Sequence, residues 1–112
     1  MDKNLSFLGL CRKAGALAAG EVQSENAVRS NRGHLLILAE DASDNTRKKF
    51  LSLAERRQVK WAVWRNKEQL GGVLGSGEKA VLVITDAGMA ENMLKRIEAE
   101  AEQETEERIW RK

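Results

Sequence analysis

The chain has 112 residues, 42% apolar and 32% charged, with 19 Lys plus Arg against 17 Asp plus Glu, which is the profile of one globular domain and excludes a disordered or multi-domain chain. Its longest apolar runs, Leu35 to Ala39 and Ala80 to Ile84, have five residues each, against the ~20 needed to cross a bilayer. Asp2 follows Met1 with no basic or apolar leader, so no secretory signal is expected and the cytoplasm is the default compartment. A lone Cys11 and a lone His34 exclude an internal disulfide and leave too few ligands for a structural zinc site, so no metal or other cofactor is expected. The small positive excess is segregated: residues 1–79 carry 14 basic and 9 acidic side chains, whereas residues 80–112 carry 5 and 8. A basic body with an acidic end is compatible with a polyanionic partner on the body.

In chain order, Leu5, Phe7, Leu8, Leu10 and Cys11 recur at helical spacing behind a capping Asp2 or Asn4, which predicts a first helix over Asp2 to Lys13 with a glycine stop at Gly15. Ala16 to Ala19 is a short strand. From Glu21 to Asn31, Val22, Ala27 and Val28 lie on one apolar stripe and Arg29 suits a helix C-terminus, giving a second helix. Leu35 to Ala39 is a central strand covered on both faces. Ser43 caps a third helix from Asp44 to Arg56 or Arg57, with Phe50, Leu51 and Ala54 inward. Lys60 to Arg65 is rich in aromatic and β-branched types and reads as a strand. Lys67 to Leu74 is a short helix, Gly75 to Lys79 a turn, and Ala80 to Ile84 a second buried strand. Thr85 and Asp86 cap a last helix that turns Met89, Met93, Leu94 and Ile97 inward. From Glu98 to Arg108 helix propensity is high but almost nothing is left to pack, with Ile109 and Trp110 folded back or exposed. Strands alternating with helices imply an α/β fold, a three-layer α/β/α sandwich. Residues 1–97 form its single domain and 98–112 an acidic extension of the last helix.

Several constellations invite a chemical reading. Gly71, Gly72, Gly75 and Gly77 close a helix and lead into a strand, the reverse of the order in a nucleotide-binding loop, so they read as stop and turn residues or as bare backbone lying against a ligand. Glu40, Asp41 and Asp86 follow strands whose ends would share one crevice in a parallel sheet, where three carboxylates suit magnesium; the competing reading makes Asp86 a helix cap. Trp61 and Trp64, flanked by Lys60 and Arg65, either pack in the core, the reading favoured for Trp61, or stack bases. Arg29, Arg32 and the run Arg47 to Lys49 lie near loops and suit phosphate contact, while Arg56 and Arg57 read as a solvated face. His34 reads as a surface residue.

The order of the words is more telling than any one of them: L-G-L-C-R-K-A-G at Leu8 to Gly15, A-V-R-S-N-R-G-H-L-L-I-L-A-E-D-A-S through Ser43, N-T-R-K-K at Asn45 to Lys49, L-G-G-V-L-G at Leu70 to Gly75 and V-L-V-I-T-D-A-G at Val81 to Gly88. Over residues 5–97 this resembles the bacterial YlxQ-type branch of the ribosomal-protein family that includes the archaeal L-seven-Ae protein and the eukaryotic L-thirty-e. The resemblance implies a small, about four-stranded mixed sheet inside the sandwich, and binding of kink-turn RNA rather than catalysis. It places the RNA face at the start of the second helix (Gly20, Val22, Gln23 and Asn26, with Arg29), the loop after the central strand (Glu40, Asp41 and Ser43) and the loop before the last strand (Gly75, Ser76, Gly77, Glu78 and Lys79). Where the family carries Asn-Glu-x-x-Lys at the start of helix 2, this chain has Val22, Gln23 and Asn26.

The expected function is therefore non-enzymatic recognition of structured RNA, ribosomal or another kink-turn RNA, by a monomer associated with the ribosome and not with membrane. The alternative is a protein-interaction module that docks a partner through the acidic last helix and Trp110. A magnesium-dependent enzyme using Glu40, Asp41 and Asp86 is third.

Overall fold

The computed structural model describes residues 2–110, with side chains as far as Gln103. Asp2 caps the first helix, its carboxylate accepting from the Asn4 and Leu5 N–H groups at 3.2 and 3.1 Å. From there α1 (Lys3–Lys13) runs to a glycine stop at Gly15, φ +72°. β1 (Leu17–Ala19) leads into α2 (Glu21–Arg29), β2 (Leu35–Leu38) into α3 (Asp44–Arg56), β3 (Lys60–Val63) into α4 (Lys67–Val73), and β4 (Val81–Ile84) into α5 (Ala87–Trp110). The four strands form one mixed sheet in the order β1-β4-β2-β3, with β4 antiparallel to both neighbours and β2 parallel to β3. α2 and α3 pack together on one face, and α1, α4 and α5 on the other. This is the three-layer sandwich expected from the alternation of elements.

The two apolar runs are the central strands β2 and β4, buried along their whole length. Between them and the helices lie Leu8, Val28, Phe50, Leu70 and Met93, all fully buried, each contributing roughly 1.5–3 kcal/mol by leaving water. Two elements end sooner than their patterns suggest, each at a residue with positive φ. Asn31 at +60° follows α2, and Arg65 at +60° follows β3; asparagine tolerates that conformation at a helix end, whereas arginine needs outside support.

Three apolar residues depart from the sequence reading. Trp61, expected in the core, is 42% exposed, whereas Trp64, for which core packing and stacking both stood open, is buried at 6%. The reason is topological: β3 is an edge strand, so Trp61 stands on a partly covered face, while Trp64 lies past the strand end under α5. Leu10 and Val22 were expected inward and are exposed at 56% and 75%. In α2 the buried stripe uses Ser24 with Ala27 and Val28 in place of Val22.

Arg65 ties distant parts together. Its guanidinium pairs with the Asp2 carboxylate at 2.7 Å and with Glu100, and stacks on the Trp64 ring 4.4 Å from its centroid. The Leu5 N–H and then the Arg65 charge hold the Asp2 carboxyl below its ordinary range, outweighing partial desolvation. Glu100 also accepts from the Trp64 indole N–H at 2.5 Å. The stretch from Glu98, read as having almost nothing to pack, thus has one polar anchor. The alternatives for Ile109 and Trp110 lie outside the described side chains. Glu100→Ala leaves a buried indole N–H without its acceptor and should lower stability by about 1–3 kcal/mol. Exposed Glu98→Ala should change it by less than about 0.5 kcal/mol; thermal melts of the two variants check the difference.

Candidate nucleic-acid interface

Three separate segments meet at one end of the sheet because β4 runs against both its neighbours. Ala19 at the end of β1 pairs with Leu82, and the Gly20 N–H donates to the Val81 carbonyl at 2.9 Å. Leu38 at the end of β2 pairs with Val81, and the Ala39 N–H donates to Ala80 at 2.8 Å. The start of α2, the loop after β2 and the loop before β4 therefore border a shared open groove of about 400 Å³, lined by Gly20 to Val22, Ser43, Thr46, Lys67 and Glu78 to Ala80. The buried Ser24 hydroxyl lies 3.4 Å from both the Ala18 and Val81 carbonyls and fastens α2 over the β1–β4 junction.

Gly20 adopts φ +89°, and no side chain caps the helix it starts. The first N–H groups of α2 are thus open to an outside acceptor, and the helix dipole favours an anion there. The Lys79 side chain crosses beside Gly20, its Cδ 3.8 Å from where a Cβ would stand. Gln23 turns its carbonyl oxygen toward the Ala19 N–H at 3.4 Å, leaving the amide NH₂ as a donor. Val22 projects into solvent on the first turn, and Asn26 is exposed one turn on. The Glu21 carboxylate lies 3.5 Å from the Thr46 hydroxyl, which in turn receives the Ser43 hydroxyl at 3.0 Å.

The loop after β2 is held along its whole length. The Glu40 N–H donates to the Arg65 carbonyl at 2.7 Å, and the Glu40 carbonyl accepts from Arg47 at 2.9 Å. Asp41 accepts from the Lys67 N–H at 2.8 Å, and Ser43 caps α3 by accepting from Thr46 N–H at 3.2 Å. The carboxylate trio proposed for magnesium does not assemble. With β4 antiparallel to β2, Asp86 leaves the sheet at the end opposite Glu40 and Asp41, roughly 13 Å of strand away. There Asp86 caps α5, accepting from the Met89 N–H at 2.8 Å. Among the described residues no acidic, histidine or cysteine cluster suits a metal, and no helix is long and apolar enough to cross a membrane. Burial pushes the Cys11 thiol up to about 11, too high for a nucleophile at neutral pH.

The loop before β4 is shaped by a glycine that sequence reasoning grouped with turn residues. Gly71 lies inside α4, and a Cβ there would meet the Gly77 carbonyl oxygen at 2.0 Å and the Glu78 Cα at 3.0 Å. The bare helix backbone lets Gly77 and Glu78 cross over α4. A Lys79 N–H bond to the Lys67 carbonyl at 3.1 Å then delivers Lys79 to the groove. No local signal separates Gly71 from Gly72, which has open space around it.

Arg29 is a sequence-nominated residue that the structure does not bring to this end. It closes α2, about 14 Å from Gly20 by helical rise, and is paired with Glu25 at 2.8 Å. Glu25 also holds Lys49 at 2.8 Å, and these two cations, Lys49 first, keep its carboxyl below the ordinary range.

Comparison with known proteins fits this geometry. Residues 3–94 match the family described as ribosomal protein L7Ae/L30e/S12e/Gadd45. The chain belongs to that family. It is 31% identical over 88 residues to the RNA-binding protein YlxQ of Bacillus subtilis (strain 168), a match covering 79% of this chain and 88% of that one. It is 28% identical over 97 residues to the RNA-binding protein YlxQ of Enterococcus faecium, covering 87% and 93%. A solved structure of a protein of unknown function from Bacillus halodurans C superposes with a TM-score of 0.82 at 35% identity, covering 88% of this chain and 99% of that one.

Gly71→Ala forces the crossing loop off α4 and should cost about 2 kcal/mol or more, as overpacking against backbone does. Gly72→Ala meets no atom and should be neutral or stabilising by up to about 1 kcal/mol through helix propensity. Denaturant midpoints of the two variants read the contrast.

Proposed function

We propose that this chain is a non-enzymatic RNA-binding protein that recognises structured, kink-turn-like RNA in the cytoplasm, in association with the ribosome and as a monomer. The observation that carries this reading is the convergence of three segments on one end of the sheet: an uncapped helix start at Gly20, a tightly held loop from Glu40 to Ser43, and a glycine-shaped loop from Gly75 to Lys79. The names of the curated relatives and the family support it. In this scheme the α2 N–H groups take a backbone phosphate, while the Gln23 amide and the polar Asn26 address base edges that a sharp bend exposes. We assign residues 1–97 to the RNA-binding domain and 98–112 to an acidic extension of α5.

The test is a titration of the whole protein against a kink-turn RNA and a plain duplex of equal length. Tighter binding to the kink-turn, weakening with salt as counterions are released, supports the reading; equal affinity for both sinks it. Gln23→Ala should weaken kink-turn binding by about 1 kcal/mol or more if its amide reaches a base edge. Val22→Asn, which restores one polar group of the family pattern, should not weaken it.

A further inference from the structure

The recognition end has the wrong charge for a polyanion. Its groove and loops carry the carboxylates Glu21, Glu40, Asp41 and Glu78 against the ammonium groups of Lys67 and Lys79 and the guanidinium of Arg47, which is bonded to the Glu40 carbonyl. The positive charge of the body gathers at the opposite end of the sandwich, where α2 and α3 finish and β3 begins. There stand Arg29, Arg32, Arg56, Arg57 and Lys60, all exposed. They form one neighbourhood: the Arg57 guanidinium donates to the Arg29 carbonyl at 3.4 Å, and Lys60 sits beside Leu35 in the sheet, where His34 and Lys60 line the same hollow. Carboxylates share this end too: Glu25 is paired with Arg29 and Lys49, Asp86 caps α5, Glu91 is paired with Lys95 at 3.2 Å, and Glu55 and Glu98 stand exposed, Glu91 and Glu98 lining the same hollow as Lys60.

Helix dipoles favour a cation in the last turn, which accounts for Arg29 and Arg56. They do not account for Arg32 or Lys60, which lie outside any helix. Among the described residues, no ion pair involves Arg32, Arg56, Arg57 or Lys60. Four of the five cations are arginines, whose planar fork matches phosphate oxygens two at a time.

We propose that this basic end is a second RNA-contact surface, gripping the phosphate backbone of a helical arm without reading its sequence. The inference deepens the RNA-binding reading and rests on it: the acidic recognition end selects the bend, and the basic end supplies the attraction. α2 and α3 span the distance between the two ends, about 14 to 20 Å, so one arm laid along their face reaches from the groove to the arginines.

The experiment compares the full chain with Arg32→Gln/Lys60→Gln, and with Lys3→Gln/Lys13→Gln as a control that removes the same net charge from exposed positions on α1, across the sheet from α2 and α3. Each is titrated with the kink-turn RNA and with the plain duplex between about 50 and 200 mM salt. The basic-end variant should lose at least about fivefold in affinity for both RNAs. Its slope of log affinity against log salt should become shallower by about 0.7–0.9 for each phosphate contact removed. The control should lose less than about twofold. Gln23→Ala, by contrast, should affect the kink-turn alone and leave the slope unchanged. If the kink-turn proves no better a ligand than the duplex, the recognition reading fails, and the basic end is still read from the duplex arm. Equal losses in the two double variants, or an unchanged slope in the basic-end variant, overturn the proposal. So does loss of binding to phosphatidylglycerol vesicles with RNA binding intact, which would assign the end to a membrane surface.

Discussion

Everything at the recognition end depends on the direction of one strand. β4 lies between β1 and β2 and runs against both, with Gly20 N–H bonded to Val81 and Ala39 N–H bonded to Ala80. Those bonds bring the entry to β4 alongside the exits from β1 and β2. A parallel β4 would send Gly75 to Lys79 to the far end and would place Asp86 beside Glu40 and Asp41. The same reversal therefore assembles the groove and takes the metal site apart. It explains why two of the three carboxylates serve local structure, Asp41 at the start of α4 and Asp86 at the start of α5.

This also marks how far the sequence could be read. The two five-residue apolar runs, the caps at Asp2, Ser43 and Asp86, and the glycine stop at Gly15 are short-range signals, and each appears in the fold where local chemistry puts it. Strand direction is long-range and leaves no mark in the pattern of a four-residue strand buried on both faces. Edge position is equally silent, which is why Trp61, expected in the core, is exposed. Val22 fits an apolar stripe by spacing, yet at the first turn of α2 it projects beyond the packed layers. In the candidate site, the segments came from likeness to a family. What no pattern could reveal was Gly71, whose importance lies in a backbone six residues later in the chain crossing over it.

The loops at the groove end of the sheet are shaped by bonds to the segments beside them. Arg47 and the Arg65 carbonyl grip Glu40 from both sides of its peptide, Lys67 anchors Asp41, and Gly71 admits Gly77. Arg65 holds its left-handed backbone while its guanidinium is engaged by Asp2, Glu100 and the Trp64 ring. Through that single residue the start of α1, the middle of α5 and the β2–α3 loop share one arrangement. A surface organised in this way meets its ligand already ordered, so less conformational entropy is lost on binding.

Preorganisation and electrostatics are divided between the two ends of the molecule. The end that is shaped carries Glu21, Glu40, Asp41 and Glu78, three of them tied by backbone or side-chain bonds to neighbouring segments, and it offers uncapped N–H groups beside Lys67 and Lys79. Backbone donors at a helix start and bare glycine discriminate by geometry, because a phosphate must arrive within hydrogen-bond distance to gain from them. Exposed arginines discriminate little and act over a Debye length of about 8 Å at physiological salt. An overall balance of 19 basic to 17 acidic residues is thus the sum of an acidic groove end, a basic opposite end and an acidic final helix. Near-neutrality in such a chain says nothing against a polyanionic ligand, since what attracts it is the placement of charge and not the total.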